Sequence, residues 1–149
     1  MTPFVSADIP ASVATDSAAP TETRIIFAEG IPGFQNAHVW ELASTLAIDP
    51  FCRLRSVDAP PLQLLVVEAS RVTSGYEPRI PRADIQRLQL GPGAPPLLLL
   101  VVTLWDDGAV TANLAAPLVI NPQTMQGAQL LLEGQPGPLR YVLGTRDPA

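Results

Sequence analysis

The stretch LLLLVVTLWDDGAVTANL, residues 97–114, decides the fold class. It begins with a long, mostly apolar run that ends at Trp105, and a second apolar piece begins at Ala109. Only Asp106, Asp107 and Gly108 separate the two pieces. Glycine readily adopts the positive φ that a short connection between antiparallel strands needs. The stretch therefore predicts a β-hairpin.

Outward from this hairpin, the chain divides into short apolar pieces separated by turn-forming residues. Its 17 prolines and 10 glycines disfavour long helices. A short helix fits best at residues 81–88, where Ile85 and Leu88 share a face at spacing i, i+3. The other predicted strands are residues 25–27, 38–42, 51–55, 62–67, 118–120, 129–132 and 139–143. This spacing predicts a mostly-β domain, either a small antiparallel barrel or a sandwich.

Length and charge limit the organisation and the partners of the chain. Its 149 residues suit one domain. Residues 1–22 are rich in small and polar types without a sustained apolar period, so we expect a disordered tail before a domain at residues 23–145. Nine arginines, no lysine and 14 acidic residues give a net charge of −5. This balance argues against direct nucleic-acid binding.

Cysteine content and apolar runs favour a soluble cytoplasmic protein. The single Cys52 cannot form an internal disulfide, which fits a reducing compartment. The most apolar run, residues 97–102, is far shorter than the ~20 residues of a membrane-spanning helix. The N-terminus lacks the positive charge of a signal peptide, since the first cation is Arg24.

The residue types that carry catalysis are sparse. Metal sites need several convergent ligands, and the chain has one histidine, His38, and one cysteine. His38 would share a strand face with Trp40 and Leu42, which favours a packed or rim position. The Asp106–Gly108 turn lacks the further ligands of a calcium loop. We therefore expect no catalytic, metal or cofactor site and no enzymatic activity.

Residues 111–121, TANLAAPLVIN, combine small, aliphatic and asparagine residues around a proline. One interpretation is structural, with a strand, a bend and an edge strand in which Asn113 and Asn121 serve turns. The other is functional: an exposed edge that accepts another chain by strand addition, or that seats an apolar helix. The residues leave both open.

Four blocks of the chain, in order, resemble the flagellar assembly factor FliW family. They are FAEGIPGF at residues 27–34, PFCRLRSVD at 50–58, TANLAAPLVIN at 111–121, and a final region with Gly127, Gln129 and PLRY at 138–141. The resemblance covers residues 24–143. Two departures are Gly137, where a tyrosine is usual, and Ala69, where a proline is common.

The resemblance implies a small β-barrel-like protein without enzymatic activity. Members of this family bind flagellin in the cytoplasm and antagonise the RNA-binding carbon storage regulator CsrA, which represses flagellin translation. Flagellin is the safer partner to expect, and a monomer is expected. The residues that we expect to contact a partner are Asn113, Leu114, Ala116, Pro117, Leu118, Ile120 and Asn121. On this hypothesis, Leu118→Arg abolishes binding and leaves the thermal midpoint nearly unchanged.

A different class of function is a small-ligand β-barrel, such as a flavin-binding split barrel. That function needs arginine together with serine or threonine to bind a phosphate. Arg53, Arg55 and Ser56 are the only nearby candidates. A yellow colour of the purified protein would favour this alternative.

Overall fold

The computed structural model describes residues 21–44, 46–57, 62–132 and 137–145. The expected tail, residues 1–22, lies outside these ranges except for its last two residues, which belong to the first strand. The described chain forms nine strands and one short α-helix. They are β1 (Thr21–Phe27), β2 (Val39–Ser44), β3 (Phe51–Ser56), β4 (Gln63–Glu68), α1 (Arg82–Arg87), β5 (Leu97–Leu104), β6 (Ala109–Ala112), β7 (Leu118–Asn121), β8 (Gln126–Gln129) and β9 (Tyr141–Thr145).

Seven of these strands close into a barrel, which confirms the expected mostly-β, barrel-like fold. Antiparallel pairing runs from β1 through β2, β3 and β4 to β5, and from β5 through β7 to β8. A short parallel pairing between β8 and β1 closes the ring, with Ile26 opposite Gln126 and Phe27 opposite Gly127. Closure removes the free edges of these seven strands.

The remaining two strands branch from β5. Residues 97–99 of β5 pair with β7, whereas residues 102–104 pair with β6. β6 in turn pairs with β9, which has no second partner strand among the described residues. The β6–β9 ladder therefore extends the sheet beyond the closed ring.

Apolar side chains are buried on both faces of the central strands β4 and β5. Trp40, Leu54 and Val66 lie fully buried inside the barrel. The alternate residues of β4 and β5, among them Val67 and Leu100, pack into a second cluster on the outer face. Because successive strand residues point to opposite faces, a strand that is apolar throughout fits this two-sided burial. The prediction of a central strand at residues 62–67 is confirmed.

A third cluster attaches α1 to the outside of the barrel. Leu88, directly after the helix, packs with Val119, Ala128, Leu130 and Leu132. The helix itself buries no residue, so this contact and polar bonds from β7 hold its C-terminal end.

Turn chemistry explains the predicted hairpin, which the structure confirms. The Trp105 amide donates to the Ala109 carbonyl at 2.8 Å, and Gly108 has φ of +93°. The Asp107 carboxylate accepts from the Ala109 amide at 2.9 Å, so a side chain also supports the turn.

Two predicted strands were placed wrongly along the chain. The strand expected at residues 129–132 is β8 at Gln126–Gln129, because a turn with Met125 at φ +59° reverses the chain earlier. The strand expected at residues 139–143 is β9 at Tyr141–Thr145. Pro117 does directly precede a strand, as predicted, but β7 has neighbours on both sides and is not an edge strand.

Candidate protein-binding groove

The segment predicted to contact a partner is largely buried. Leu118 and Ile120 are fully buried in the barrel interior, and Asn121 is 1% exposed. The prediction that these side chains lie at an exposed edge is therefore wrong: pairing with β5 and β8 covers both edges of β7. For the same reason we now expect Leu118→Arg to lower the stability of the protein, in contrast to the expectation from the sequence.

The two asparagines of this segment support turns, as the structural interpretation predicted. The Asn113 Oδ1 accepts from the amides of Ala115 and Ala116 at 3.0 and 3.1 Å. Asn121 Oδ1 accepts from the Gln123 amide at 2.8 Å. Ala116 and Pro117 are buried between them. The segment as a whole has a structural role. Within it, only Asn113 and Ala115 are partly exposed.

Exposed apolar side chains lie instead around the β6–β9 extension and the segments beside it. Val142 on β9 is 63% exposed, and Leu139 just before β9 is 60% exposed. Arg140 stacks its guanidinium over the Trp105 ring at 3.8 Å from the ring centroid. Exposed apolar side chains with an arginine and a tryptophan are typical of protein-binding surfaces.

A groove runs beside this surface, around residues 69–77 that follow β4. It consists of three cavities. The Glu68 cavity, of about 220 Å³, is lined by Glu68, Ala69, Ser70, Thr73, Ser74, Gly75, Tyr76, Pro96, Leu97 and Leu98. The Arg71 cavity, of about 290 Å³, is lined by Pro50, Phe51, Val67, Arg71, Val72, Tyr141, Val142 and Leu143. The Leu114 cavity, of about 460 Å³, is lined by Thr73, Ser74, Gly75, Tyr76, Glu77, Leu114, Gly137, Pro138 and Tyr141.

Neighbouring cavities share lining residues, and we call the surface that contains all three cavities the 69–77 groove. Tyr141 lines both the Arg71 and the Leu114 cavities. Tyr76 lines both the Glu68 and the Leu114 cavities, and its hydroxyl donates to the Leu114 carbonyl at 2.6 Å. Of the residues predicted to contact a partner, Leu114 is the one that lines this groove.

Burial shifts the titration of three groups at this end of the barrel. It raises the pKa of the Tyr76 hydroxyl to about 12 and that of the Cys52 thiol to about 11. The carboxylates of Glu68 and Asp49 raise the Cys52 pKa further. Burial also raises the pKa of Glu68, and the nearby Arg71 partly opposes that shift. The Arg71 guanidinium, 3.1 Å from Asp49 Oδ2, supplies positive charge beside these carboxylates.

Neither a role for Glu68 nor the groove is predicted by the sequence. A signal was present, since a carboxylate ends the apolar strand β4 and a stretch rich in serine, threonine and glycine follows at residues 70–75. Such a stretch predicts a loop between elements. That β9, distant in sequence, would form the opposite wall is not visible locally.

The candidates for chemistry do not come together. In the described ranges no group of three or more His, Cys, Asp or Glu residues could hold a metal ion. His38 is exposed just before β2, with its Nδ1 3.2 Å from the Phe27 carbonyl oxygen. Arg53 and Arg55 are exposed, whereas Ser56 is buried and its hydroxyl accepts from the Leu62 amide. The phosphate cluster that a flavin would need is therefore not formed by these residues.

Comparison with known proteins shows which family shares this sequence and fold. The family model described as FliW protein matches residues 11–143. The flagellar assembly factor FliW of Geobacter sulfurreducens is 34% identical over 115 residues, which span 76% of this chain and 72% of that protein. The chain belongs to the FliW family. This finding confirms the resemblance that its four sequence blocks carry.

Further FliW relatives agree in extent and in fold. The flagellar assembly factor FliW of Thermotoga maritima is 28% identical over 124 residues, covering 82% of this chain and 83% of the relative. A crystal structure of the flagellar assembly factor FliW matches with a TM-score of 0.71 at 29% identity, over 81% of this chain and 85% of that one. No helix in the described part of the chain is long and apolar enough to cross a membrane.

Ala69 and Gly137, two positions where the sequence differs from the residues expected from the resemblance, both line cavities of the groove. Ala69 is buried in the outer-face cluster and lines the Glu68 cavity. Gly137 lines the Leu114 cavity, and a Cβ added there would lie 2.9 Å from Leu114 Cδ2. The glycine therefore allows close packing of Leu114 against residue 137.

Proposed function

We propose that this chain is a non-enzymatic flagellar assembly factor that binds flagellin in the cytoplasm and antagonises the translational regulator CsrA. FliW family membership supports a role in flagellar assembly through protein partners. Flagellin that accumulates would capture the factor and free the regulator, so that flagellin synthesis would follow filament assembly.

The observation that carries the binding role is the 69–77 groove beside the edge of β9 that has no partner strand within the described ranges. Val142 and Tyr141 on β9 present apolar surface along the groove, and Leu114 lies in its wall. A flagellin end that forms an amphipathic helix would place apolar residues at spacing i, i+3 and i+4 into such a groove. We therefore assign partner contact to the groove and retain Leu114 from the sequence-predicted segment.

Charge favours a basic second partner. The chain carries a net charge of −5. An RNA-binding regulator presents clustered cations, so opposite charge would speed its encounter with this protein. Such an approach need not use the RNA-binding surface of the regulator.

Titration calorimetry against flagellin and CsrA from the same organism tests the proposal. We expect sub-micromolar binding of flagellin, which corresponds to better than about −8 kcal/mol. Val142→Arg should weaken this binding because it places a charge in the apolar wall of the Arg71 cavity. Ile85→Arg is the matched control, since Ile85 is an exposed apolar residue on α1 that lines none of the three cavities.

Two outcomes would contradict the proposal. Absence of binding heat with either protein at two temperatures, on folded material, would remove the flagellar role. If Val142→Arg binds flagellin as tightly as the unsubstituted chain does, the groove is not the binding site, but the proposed flagellar role still holds.

A further inference from the structure

Arg140, directly before β9, is an exposed cation that an aromatic ring holds in place. Its guanidinium carbon lies 3.8 Å from the centroid of the Trp105 ring. The ring itself is fixed, because its indole N–H donates to the Thr111 hydroxyl at 2.8 Å and Thr111 is buried. The Trp105 ring therefore reaches from the end of β5, across β6, to the start of β9. It limits the positions that the guanidinium can adopt.

The N–H donors of this guanidinium have no acceptor within the described ranges. Its side chain makes no ion pair or hydrogen bond there, although Asp106 and Asp107 directly follow Trp105. The Asp107 carboxylate accepts from the Ala109 amide instead. A guanidinium that stacks on a ring keeps its planar fork of donors available, and this fork matches the two oxygens of a carboxylate. The geometry therefore favours a carboxylate from another molecule.

Apolar side chains flank this cation in the sequence. Leu139 precedes it and is 60% exposed, and Val142 follows β9's first residue and is 63% exposed. Val142 pairs with Thr111 in the β6–β9 ladder and also lines the Arg71 cavity, so it connects Arg140 to the 69–77 groove. An arginine and a tryptophan beside exposed apolar side chains favour a protein segment over a free anion, because the apolar side chains add contact area.

We propose that Arg140, stacked on Trp105, binds an aspartate or glutamate side chain of the partner segment that occupies the 69–77 groove. This inference rests on the proposed function, which assigns that segment to flagellin, and it adds a requirement for the chemistry of the segment. A carboxylate must lie beside the apolar residues that enter the groove. Because the Trp105 ring already holds the guanidinium, little conformational freedom of Arg140 is lost when the carboxylate binds.

Arg140→Gln tests the inference because it removes the guanidinium charge at an exposed position. We expect the Kd for flagellin from the same organism to rise about tenfold to a hundredfold, since hydrogen bonds between charged groups are lost. Arg82→Gln is the matched control, because it changes the net charge equally and Arg82 is an exposed arginine on α1 that lines none of the three cavities. Arg82→Gln should bind as tightly as the unsubstituted chain. Calorimetry in about 50 mM and about 500 mM NaCl should show a smaller salt dependence for Arg140→Gln than for Arg82→Gln.

Substitutions in flagellin identify the carboxylate. Each aspartate and glutamate of the two flagellin ends is replaced, one at a time, by asparagine or glutamine. One of these changes should weaken binding to the unsubstituted chain and leave binding to Arg140→Gln unaltered, because both changes remove the same contact. If no flagellin substitution is coupled to Arg140→Gln in this way, the guanidinium binds no carboxylate and the inference is wrong.

The thermal midpoint separates a binding role from a structural role. Arg140 is exposed, so Arg140→Gln should unfold at nearly the same temperature as the unsubstituted chain. Weaker flagellin binding without lower stability would support the inference. A lower midpoint together with weaker binding would show that the contact between Arg140 and Trp105 maintains β9, and it would overturn the inference.

The other outcomes distinguish this inference from the proposed function. If the unsubstituted chain does not bind flagellin, the proposed function fails. If it binds flagellin and Arg140→Gln binds equally well, the function stands and the assignment of Arg140 is wrong. Equal losses in Arg140→Gln and Arg82→Gln would show a general effect of net charge and would overturn the specific contact.

Discussion

The side-chain amide of Asn121, at the end of β7, donates a hydrogen bond of 2.8 Å to the main-chain carbonyl of Leu88, at the end of α1. The same amide donates to Gln89 at 3.1 Å, and the Asn121 carbonyl oxygen accepts from the Gln123 amide. One buried side chain thus supports both the helix end and the turn into β8. Leu88 could not pack against the barrel if these polar groups were left unsatisfied.

Asn121→Ala should lower the free energy of unfolding by about 1–3 kcal/mol, because it leaves buried carbonyl and amide groups without partners. Urea unfolding monitored by tryptophan fluorescence measures the loss. Gln123→Ala is the control, since Gln123 is exposed and its side chain donates only to Gly93. Equal stability of the two variants would contradict the central role of Asn121.

Leu118→Ala should destabilise the barrel by about 2–5 kcal/mol, since it opens a cavity among fully buried side chains. Leu131→Ala, at a position that is 72% exposed, should change stability by less than about 0.5 kcal/mol. Chemical denaturation of both variants checks this contrast. If Leu118→Ala is as stable as the unsubstituted chain, Leu118 lies at the surface, as the sequence predicted.

Gly30 and Gly33 form a matched pair in the turn before β2. Both have positive φ, +68° and +92°, but only at Gly30 would a Cβ meet backbone, 2.6 Å from Gln35 Cα. Gly33→Ala should cost about 1–2 kcal/mol through backbone strain alone. Gly30→Ala should cost distinctly more, and thermal unfolding of the two variants measures the difference. Equal losses would show that the turn relaxes around the added methyl group.

Alkaline pH should destabilise the protein through Cys52. Its pKa is raised from 9.0 to about 11, so the neutral thiol contributes stability that is complete below pH 9 and is lost as pH rises through 11. Tyr76, raised from 10.0 to about 12, should extend the loss above pH 10. Urea midpoints between pH 8 and pH 11 measure the slope. Cys52→Ala should flatten it between pH 9 and pH 11, and an unchanged slope would contradict this origin.

Local chemistry made parts of the fold predictable. The Asp106–Gly108 turn follows from backbone and side-chain preferences of adjacent residues, and alternation identifies β2 and β3. The burial of Leu118 depends on the parallel pairing of β1 with β8, which joins residues about a hundred positions apart. Residues 111–121 alone do not indicate the pairing of β1 with β8. The apolar side chains of this segment are therefore predicted from the sequence to lie at the surface.

The groove illustrates the same limit. Residues 69–77 form one of its walls and β9 supplies the other, so its cavities exist only once the β6–β9 ladder is in place. Charge at Glu68 was readable from the sequence, but its partial burial was not.

Because β5 branches, the closed ring and the β6–β9 ladder can open independently of each other. The ring closes through residues 97–99 on β7, and the β6–β9 ladder is attached through residues 102–104. Opening the ladder breaks three residue pairs with β5 and leaves every pairing of the ring intact. Amide protons of β9 should therefore exchange with solvent long before those of β1, β7 and β8. The β6–β9 ladder, which carries the proposed binding surface, can therefore change its conformation or its sequence while the closed ring maintains the fold.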